Sequence, residues 1–410
     1  MNDRVVSQPS QREPSRPLSQ PLILLLAVTC GTLVANLYYA QPLLGTIAES
    51  FGTTDSVAGV LVTIAQVGYA LGLALVLPLG DLVERRCLIV VLTLVCAGAN
   101  IVAVVSPTMI VLAAALLVAS VGASAAMIIV PVASALASDG NRGRTVGTVM
   151  SGLFIGILLA RTVSGMLSTV SGWRLVYGCA AVLLTAISVA LWKNIPPSRP
   201  EAGTRYLGIL RSVFLLIVRY RALQKRMVIG ALLMASFSML WTGLVFVLTR
   251  EPYAFNEFVI GLFGLAGLAG AFAAPLAGKL ADRGRGAVAT TGFLLVLLAS
   301  WGFLAIGAVG GTWAIISLIV GIVMLDVGVQ GAHISNQNVV FALQPDARSR
   351  LNTAYMVSYF SGGVIGSLAA SVSFSIGRWG LLCAVGAAVS LTALAAWLLA
   401  CRAKGKATNK

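Results

Sequence analysis

Long runs of apolar residues follow one another from Pro21 to Cys401, and the longest polar interruption lies between Asn194 and Lys225. Hydrophobic residues make up 58% of the 410 residues and charged residues only 10%, whereas charged residues form about 25% of an average soluble domain. A water-soluble globule of this size has no interior large enough to bury so much apolar surface. The sequence therefore predicts a membrane protein that crosses the bilayer many times.

Twelve spans are predicted, because a helix that crosses a bilayer needs about 20 predominantly apolar residues. The predicted fold class is all-α, without a soluble domain between the helices. The approximate bounds of the predicted spans are 21–44, 57–79, 87–105, 108–137, 145–170, 173–193, 226–249, 257–277, 287–309, 312–341, 351–375 and 379–401.

Lys and Arg residues are concentrated on one side of this topology. Of the 28, 24 fall in the two tails and the even-numbered loops, three fall in the odd-numbered loops, and Arg161 lies inside the fifth span. Basic residues accumulate in the cytoplasmic loops of membrane proteins, so we expect both termini in the cytoplasm. A net charge of +15 distributed in this way does not form a continuous basic surface, and we expect no nucleic-acid partner.

No cofactor, metal or disulfide is predicted. The six cysteines lie in apolar runs or at their ends, without C-x-x-C spacing, which is typical of buried small hydrophobic residues. Residues 1–20 are polar and precede an apolar run too long for a signal peptide, so we interpret them as a disordered cytoplasmic tail. Residues 402–410 are predicted to form a second cytoplasmic tail.

The polar stretch at 194–225 is predicted to be a cytoplasmic linker between two six-helix bundles, 21–193 and 226–401. The two halves repeat a loop sequence that reads G-x-L-x-[DE]-R, at an offset of 198 residues: it begins at Gly80 after the second span and at Gly278 after the eighth. Such a repeat is typical of transporters built from duplicated bundles, whose substrate site lies near the bilayer midplane between the halves.

These loops resemble the cytoplasmic loop motif of the major facilitator superfamily, and the resemblance extends over about residues 20 to 401. It implies two pseudo-symmetric bundles and a cytoplasmic latch in which the motif carboxylate approaches the N-terminus of a neighbouring helix. A tight turn that keeps charges in the cytoplasm is the alternative role. The matching residues are Gly80, Glu84, Arg85, Gly278, Asp282 and Arg283, with Glu84 in place of the usual Asp.

The proton-antiporting efflux branch of this superfamily has a further motif on its fifth helix, G-x-x-x-G-P-x-x-G-G, and residues 156–165 keep its frame. Ala160 and Arg161 replace the Gly-Pro pair, and Val118 stands where the branch has an arginine on its fourth helix. The sequence is therefore similar to the bacterial 12-helix drug, sugar and metabolite exporters, but it departs from them at the usual antiporter residues.

Two ionisable residues lie deep inside predicted spans, Arg161 on the fifth and Asp326 on the tenth. A charge at the centre of a membrane helix is unfavourable by at least about 2.5–3.5 kcal/mol, so such residues usually have a partner or a function. Proton or cation coupling is one role for Asp326, and a structural partnership with Arg161 is the alternative. Their similar depths predict a direct or water-bridged charge pair in at least one transport state.

The tenth span has a polar face, on which Gln330, His333 and Gln337 follow Asp326 at helical spacing. His333 is the only histidine in the chain, so it has no second histidine with which to form a metal site. A proton relay together with Asp326, a hydrogen bond to substrate and a structural contact are its alternative roles.

Polar and aromatic residues on several spans complete the predicted substrate cavity. In the superfamily the first, fourth, seventh and tenth helices line the cavity. Tyr and Trp suit a small amphipathic solute because they combine an apolar ring with a polar group, although packing or an interfacial position is the alternative for any one of them. The predicted cavity residues are Asn36, Tyr39, Gln66, Trp241, Gln330, Tyr355 and Tyr359.

The predicted function is secondary active transport of a small organic solute across a bacterial inner membrane by alternating access, with efflux in exchange for protons. A proton-coupled importer or uniporter is the alternative, and a non-transporting membrane sensor is an alternative of a different class. An enzyme is not expected, because the spans hold one carboxylate and one histidine and the chain lacks H-E-x-x-H, G-x-S-x-G and P-loop sequences. We expect a monomer whose partners are the solute, protons and the lipid bilayer.

Overall fold

The computed structural model describes residues 19–138, 141–197, 205–344 and 347–408, and these residues form helices and connections without a strand. The predicted all-α membrane fold is confirmed over this part of the chain, whereas residues 1–18 and 409–410 of the predicted tails lie outside it. The helices are α1 Gln20–Ala35, α2 Leu44–Ser50, α3 Asp55–Leu71, α4 Arg85–Val104, α5 Met109–Ala123, α6 Ala126–Leu136, α7 Arg142–Ser171, α8 Trp173–Asn194, α9 Tyr206–Arg219, α10 Arg221–Leu248, α11 Glu257–Phe263, α12 Leu268–Asp282, α13 Gly286–Ile306, α14 Thr312–Leu343 and α15 Arg348–Thr408.

Ten helical segments among the described residues are long and apolar enough to cross a bilayer. The predicted first and eighth spans differ from the prediction because each is broken. α1 is followed by a turn and a 3-10 helix at Gln41–Leu43, and α11 passes through a 3-10 turn at Gly264–Gly267 into α12. The predicted count of twelve spans is therefore not exactly confirmed: ten segments qualify, and the helices at the predicted first and eighth spans, Gln20–Ala35 and Glu257–Gly267, are shorter.

Local sequence explains where several helices begin and end. Thr54 and Thr108 cap α3 and α5 by accepting the backbone N–H three residues further on, as hydroxyls commonly do at helix N-termini. Gly172 (φ 74°) connects α7 to α8 and Gly311 (φ 85°) precedes α14, so both occupy a conformation that a side chain disfavours. α15 contains two successive spans, which meet at Arg378 where φ is 54°.

Helices α1 to α8 pack into an N-terminal bundle, in which α1 lies along α7, α4 lies against α5 and α8, and α3 lies against α5. The contact between α1 and α7 joins backbone to backbone. A Cβ atom on Gly31 would lie 2.6 Å from the carbonyl oxygen of Gly152, and a Cβ atom on Gly156 would overlap the Gly31 backbone. Small residues permit this close approach, as in other pairs of membrane helices.

Helices α10 to α15 pack into a C-terminal bundle, with α10 on α15, α13 on α14 and α15, and α12 on α14. Ser390 is part of a buried polar contact in this bundle: it accepts from Trp301 at 2.9 Å and lies 3.0 Å from Ser236. Helix α9 lies between the bundles in the chain, and the Tyr206 hydroxyl at its start donates to the Leu75 carbonyl at 2.8 Å. The linker is therefore attached to the end of the second span.

Successive spans alternate in direction, which gives the molecule two faces. The terminal face carries Gln20, the turn before α4 and the turn before α13. The far face carries the loops at 51–54 and 249–256. The terminal face is the one that the distribution of basic residues predicts to be cytoplasmic.

Side-chain hydrogen bonds join the two bundles in the half of the molecule next to the far face. Of these bonds, that of Gln66 lies nearest the terminal face, and packing extends one turn further, where the rings of Tyr69 and Phe360 have centres 4.5 Å apart. The contacts are Arg250 with Asp55 (3.0 Å), Thr46 with Glu257, Thr162 with the Gly261 carbonyl (2.9 Å), Thr63 with Ser367 (2.8 Å) and Gln66 with Ser238 (3.2 Å). The structure is therefore a state in which the far face is closed.

Candidate functional site

Arg161, on α7, lies where the two bundles meet, and only 3% of its side chain is exposed. Its guanidinium carbon lies 3.8 Å from the ring centre of Trp241 on α10 and 4.8 Å from that of Tyr38. Its Nε donates to Gln41 Oε1 at 2.6 Å. Aromatic faces and an amide oxygen therefore stabilise a cation that has been removed from water.

Asp326, on α14, is 4% exposed. Trp241 Nε1 donates to its Oδ1 at 3.4 Å, so the indole that stacks on Arg161 also contacts this carboxylate. The other oxygen lies against backbone, because a Cβ atom on Gly267 would be 2.5 Å from Oδ2. Trp241 thus connects the buried cation of the N-terminal bundle to the buried carboxylate of the C-terminal bundle.

No ion pair joins Arg161 to Asp326 among the described residues. The indole of Trp241 contacts both residues, whereas a direct or water-bridged contact was expected in at least one transport state. The pair in another transport state stays a prediction. Arg161 Nη2 and Gln41 Nε2 are buried and have no hydrogen-bond partner in the described part of the chain, so the cluster has two adjacent donor groups that its own side chains leave unpaired.

The break between α11 and α12 lies against this cluster. A Cβ atom on Gly261 would be 2.6 Å from the Arg161 carbonyl oxygen, and one on Gly264 would be 3.1 Å from Arg161 Cβ. Together with Gly267, these glycines allow a 3-10 turn to pass close to both charged residues. Sequence reasoning did not assign this segment to the site, although glycines at a three-residue spacing in an apolar run are a signal of close backbone approach.

Asn36 and Tyr39 lie inside the N-terminal bundle and not at this cluster. Asn36 Oδ1 accepts from Asn100 on α4 at 2.8 Å. Tyr39 packs edge-on against Tyr177 on α8, with ring centres 6.4 Å apart. Their predicted position at the substrate cavity stays a prediction.

The end of α1 determines which side chains of this segment reach Arg161. The helix stops at Ala35, and residues 36–40 form a turn. Helical spacing therefore does not extend from the α1 residues to Tyr39, and the side chains that reach Arg161 are those of Tyr38 and Gln41.

His333, Tyr355 and Tyr359 form a second cluster between α14 and α15. His333 Nδ1 lies 3.0 Å from the Tyr355 hydroxyl, and its ring centre lies 4.4 Å from that of Tyr359. His333 is seven residues from Asp326, about 10 Å along the helix axis, and no hydrogen bond joins the two in the described residues. The structure brings these three predicted residues together, while a role for His333 in proton coupling stays a prediction.

Gln66 and Gln330 lie in different environments. Gln66 Nε2 donates to Ser238 Oγ at 3.2 Å and so joins α3 to α10 across the bundles. Gln330 is half-buried one turn from Asp326, where a Cβ atom on Gly270 of α12 would lie 3.2 Å from its Cγ. Gln66 therefore belongs to the contact between the bundles, and Gln330 borders the Asp326 cluster.

The first loop motif closes a turn within one bundle. Arg85 Nε donates to the Gly80 carbonyl at 2.9 Å, and Arg85 pairs with Asp81 at 3.2 Å. Glu84 precedes α4 without a capping bond from its side chain. These contacts stabilise a tight turn, and the latch, in which the motif carboxylate approaches the N-terminus of a neighbouring helix, stays a prediction.

The second loop motif is less enclosed. Gly278 has open space around it and Arg283 is exposed. The side chain of Asp282 lies outside the part that the structure describes.

Comparison with known proteins identifies the architecture. The profile of the Major Facilitator Superfamily matches residues 24–367. YgaY of Escherichia coli O157:H7, an uncharacterized transporter, is 45% identical over 94% of this chain and 97% of its own length. A probable transporter of Streptomyces coelicolor is 35% identical over 93% of this chain and 88% of its own.

A solved structure has the same fold. A bacterial homologue of the human lysosomal transporter Spinster, in an inward-facing and occupied conformation, superposes with a TM-score of 0.74 at 14% identity, over 95% of this chain and 98% of its own. The profile match and the relatives span nearly the whole chain. The chain therefore belongs to the major facilitator superfamily and is a membrane transporter, not an enzyme.

Proposed function

We propose that this transporter exports a small organic solute in exchange for protons, with Asp326 as the group that binds and releases the proton. The observation that carries the proposal is the position of Asp326, buried at the junction of the bundles with Trp241 as its hydrogen-bond donor and no ion-pair partner among the described residues. A carboxylate in such a place responds strongly to changes in its hydration and in its distance from Arg161. Those are the quantities that alternating access changes.

The residues around Arg161 support a small solute with an apolar or ring-shaped body and a hydrogen-bond acceptor. Trp241 and Tyr38 offer aromatic faces beside the guanidinium. Arg161 Nη2 and Gln41 Nε2 are donors without a partner in the described part of the chain. Convergent donors on an apolar wall are typical of small-molecule sites.

Export is supported by the framework of the efflux motif on α7. Gly156 packs on Gly31 of α1, and Gly165 packs on the backbone of Glu257 at the start of α11. The motif glycines thus allow close packing both within the N-terminal bundle and across to the C-terminal bundle. Import or uniport is the competing direction, since Arg161 itself replaces the proline of that motif.

A compound screen on proteoliposomes that enclose a pH-sensitive dye tests coupling. A transported solute is expected to dissipate a preset proton gradient with the wild-type protein. Asp326→Asn keeps the size of the side chain but holds no exchangeable carboxyl proton, so solute-driven proton flux should fall to the level of empty liposomes. Glu49→Gln, the same change at an exposed position, is the matched control and should keep wild-type flux.

The same liposomes distinguish the alternatives. If the Asp326→Asn variant still concentrates solute against its gradient with the wild-type pH profile, Asp326 has a structural role. Solute accumulation on the side with fewer protons would indicate import. Solute movement without any proton flux in the wild type would indicate a uniporter.

A further inference from the structure

A cavity separate from the Arg161 cluster lies at the terminal face of the C-terminal bundle. It has a volume of about 660 Å³ and opens between α10, α13, α14 and the last span of α15. Its walls are mostly apolar and include Ile229, Val339, Leu343, Trp397 and Ala400. The transport mechanism proposed above uses none of these residues.

The polar part of this cavity is basic. Lys225 and Arg226 of α10 line it, and among the described residues no Asp or Glu does. Arg226 is 9% exposed, its Nη1 donates to Asn336 Oδ1 at 2.8 Å, and its guanidinium carbon lies 4.6 Å from the ring centre of Trp397. A buried cation held by an amide and an indole, with no carboxylate paired to it in the described residues, favours an anion in the adjoining space.

The start of α13 adds a second anion-favouring group. Gly284, Gly286 and Ala287 line the cavity, and α13 begins at Gly286 without a capping side chain. The first N–H groups of a long helix and its dipole favour negative charge. Arg226, Lys225 and this N-terminus therefore converge on one cavity.

We propose that this cavity binds an anionic phospholipid, with the phosphate between Arg226, Lys225 and the start of α13 and an acyl chain along the apolar wall. Apolar residues next to the cavity are exposed on the membrane-facing helices, with Val288 72%, Val228 53% and Leu399 65% exposed. A lipid has both a charge and a chain that match these surfaces, whereas a free phosphate ion leaves the apolar wall in water. The terminal face is also where the basic loops meet the predicted cytoplasmic leaflet.

Native mass spectrometry of the purified full-length protein tests the proposal. With phosphatidylglycerol at micromolar concentration, one lipid per protein should be retained, and phosphatidylcholine should be retained less well. Arg226→Gln should weaken phosphatidylglycerol binding about fivefold, the contribution of one basic residue near an anionic headgroup. Arg221→Gln, at an exposed position five residues earlier on α10, removes the same charge outside the cavity and should bind like the wild type.

Two further variants cover the case in which Arg226→Gln does not fold. Lys225→Gln removes charge at the rim, and Ala342→Phe fills space without changing charge; both should lower lipid retention. Wild-type retention in both variants would overturn the proposal. If inorganic phosphate alone stabilised the wild type against heat as much as phosphatidylglycerol does, the assignment to a lipid would be overturned and a soluble-anion site would remain.

Discussion

The guanidinium of Arg161 is held by shape as well as by charge. Its central carbon lies 3.8 Å from the ring centre of Trp241 and its Nε donates to Gln41 at 2.6 Å, two contacts that suit a flat, delocalised cation. A lysine ammonium group on its flexible side chain retains the charge but does not reproduce the contact with the Trp241 ring or the directional hydrogen bond to Gln41. The residue is therefore a test of whether the site needs a positive charge or this particular arrangement of donors.

We expect Arg161→Lys to lower the initial rate of gradient-driven solute transport about tenfold. The substitution removes a stacking interaction that contributes about 0.5–2 kcal/mol and a directional hydrogen bond of about 1 kcal/mol. Arg174→Lys is the control, because Arg174 also stacks on a tryptophan, Trp173 at 4.2 Å, but at the far face away from the cluster. Equal losses in the two variants would contradict a specific role for Arg161.

The sequence was sufficient to single out the isolated charges, but not to predict which side chains surround them. Arg161 and Asp326 stand out because an ionisable residue in an apolar run is rare, and the structure brings both into contact with Trp241. The contacts of Tyr38 and Gln41 with Arg161 were not predicted, because a spacing argument assumes a continuous helix and α1 ends at Ala35.

At the level of elements, two sets of glycines have different roles. Gly152 and Gly156 bring α7 against α1 within one bundle, whereas Gly261, Gly264 and Gly267 bring the break in the eighth span against Arg161 and Asp326. Apolar composition predicted that both segments were membrane helices. It carried no information on where the backbone leaves helical geometry, because that depends on the neighbouring helices.

We expect Gly156→Val to prevent normal packing of α1 on α7. A Cβ atom at this position would overlap the Gly31 backbone, and backbone cannot rotate away as a side chain does, so the loss in unfolding free energy should reach or exceed the roughly 1–3 kcal/mol typical of overpacking. Gly147→Val is the control on the same helix, since nothing lies within 4 Å of its Cβ position. Thermal unfolding in detergent measures both, and similar midpoints would contradict the packing argument.

At the scale of the whole molecule, the basic residues predict which face is cytoplasmic. Arg211→Cys, in a cysteine-free background, introduces a thiol at an exposed position of α9, and Glu251→Cys does so at the far face. In intact cells an impermeant maleimide should label only the second, and inverted vesicles should reverse the pattern. Rapid labelling of Arg211→Cys from outside intact cells would contradict the predicted topology.

The contacts between the bundles predict how the molecule moves. The hydrogen bonds described above lie between the far face and the level of Gln66, so opening the far face requires α3 to separate from the first span of α15. Thr63 and Ser367 lie on these two elements with their hydroxyl oxygens 2.8 Å apart. A disulfide at this pair is expected to hold the far face closed. The short bond would keep α3 and the first span of α15 together, and alternating access must separate them.

We therefore expect oxidation of the double variant Thr63→Cys and Ser367→Cys to reduce solute-driven proton flux roughly tenfold or more, and a reductant to restore it. The control is Ser236→Cys with Ser390→Cys, whose oxygens lie 3.0 Å apart inside the C-terminal bundle. That bundle moves as one body in a rocking mechanism, so its cross-link should leave transport intact. Undiminished flux through the oxidised Thr63 and Ser367 pair would mean that the far face does not open by separating these helices. Loss of flux in the control pair alone would place the essential motion inside the C-terminal bundle.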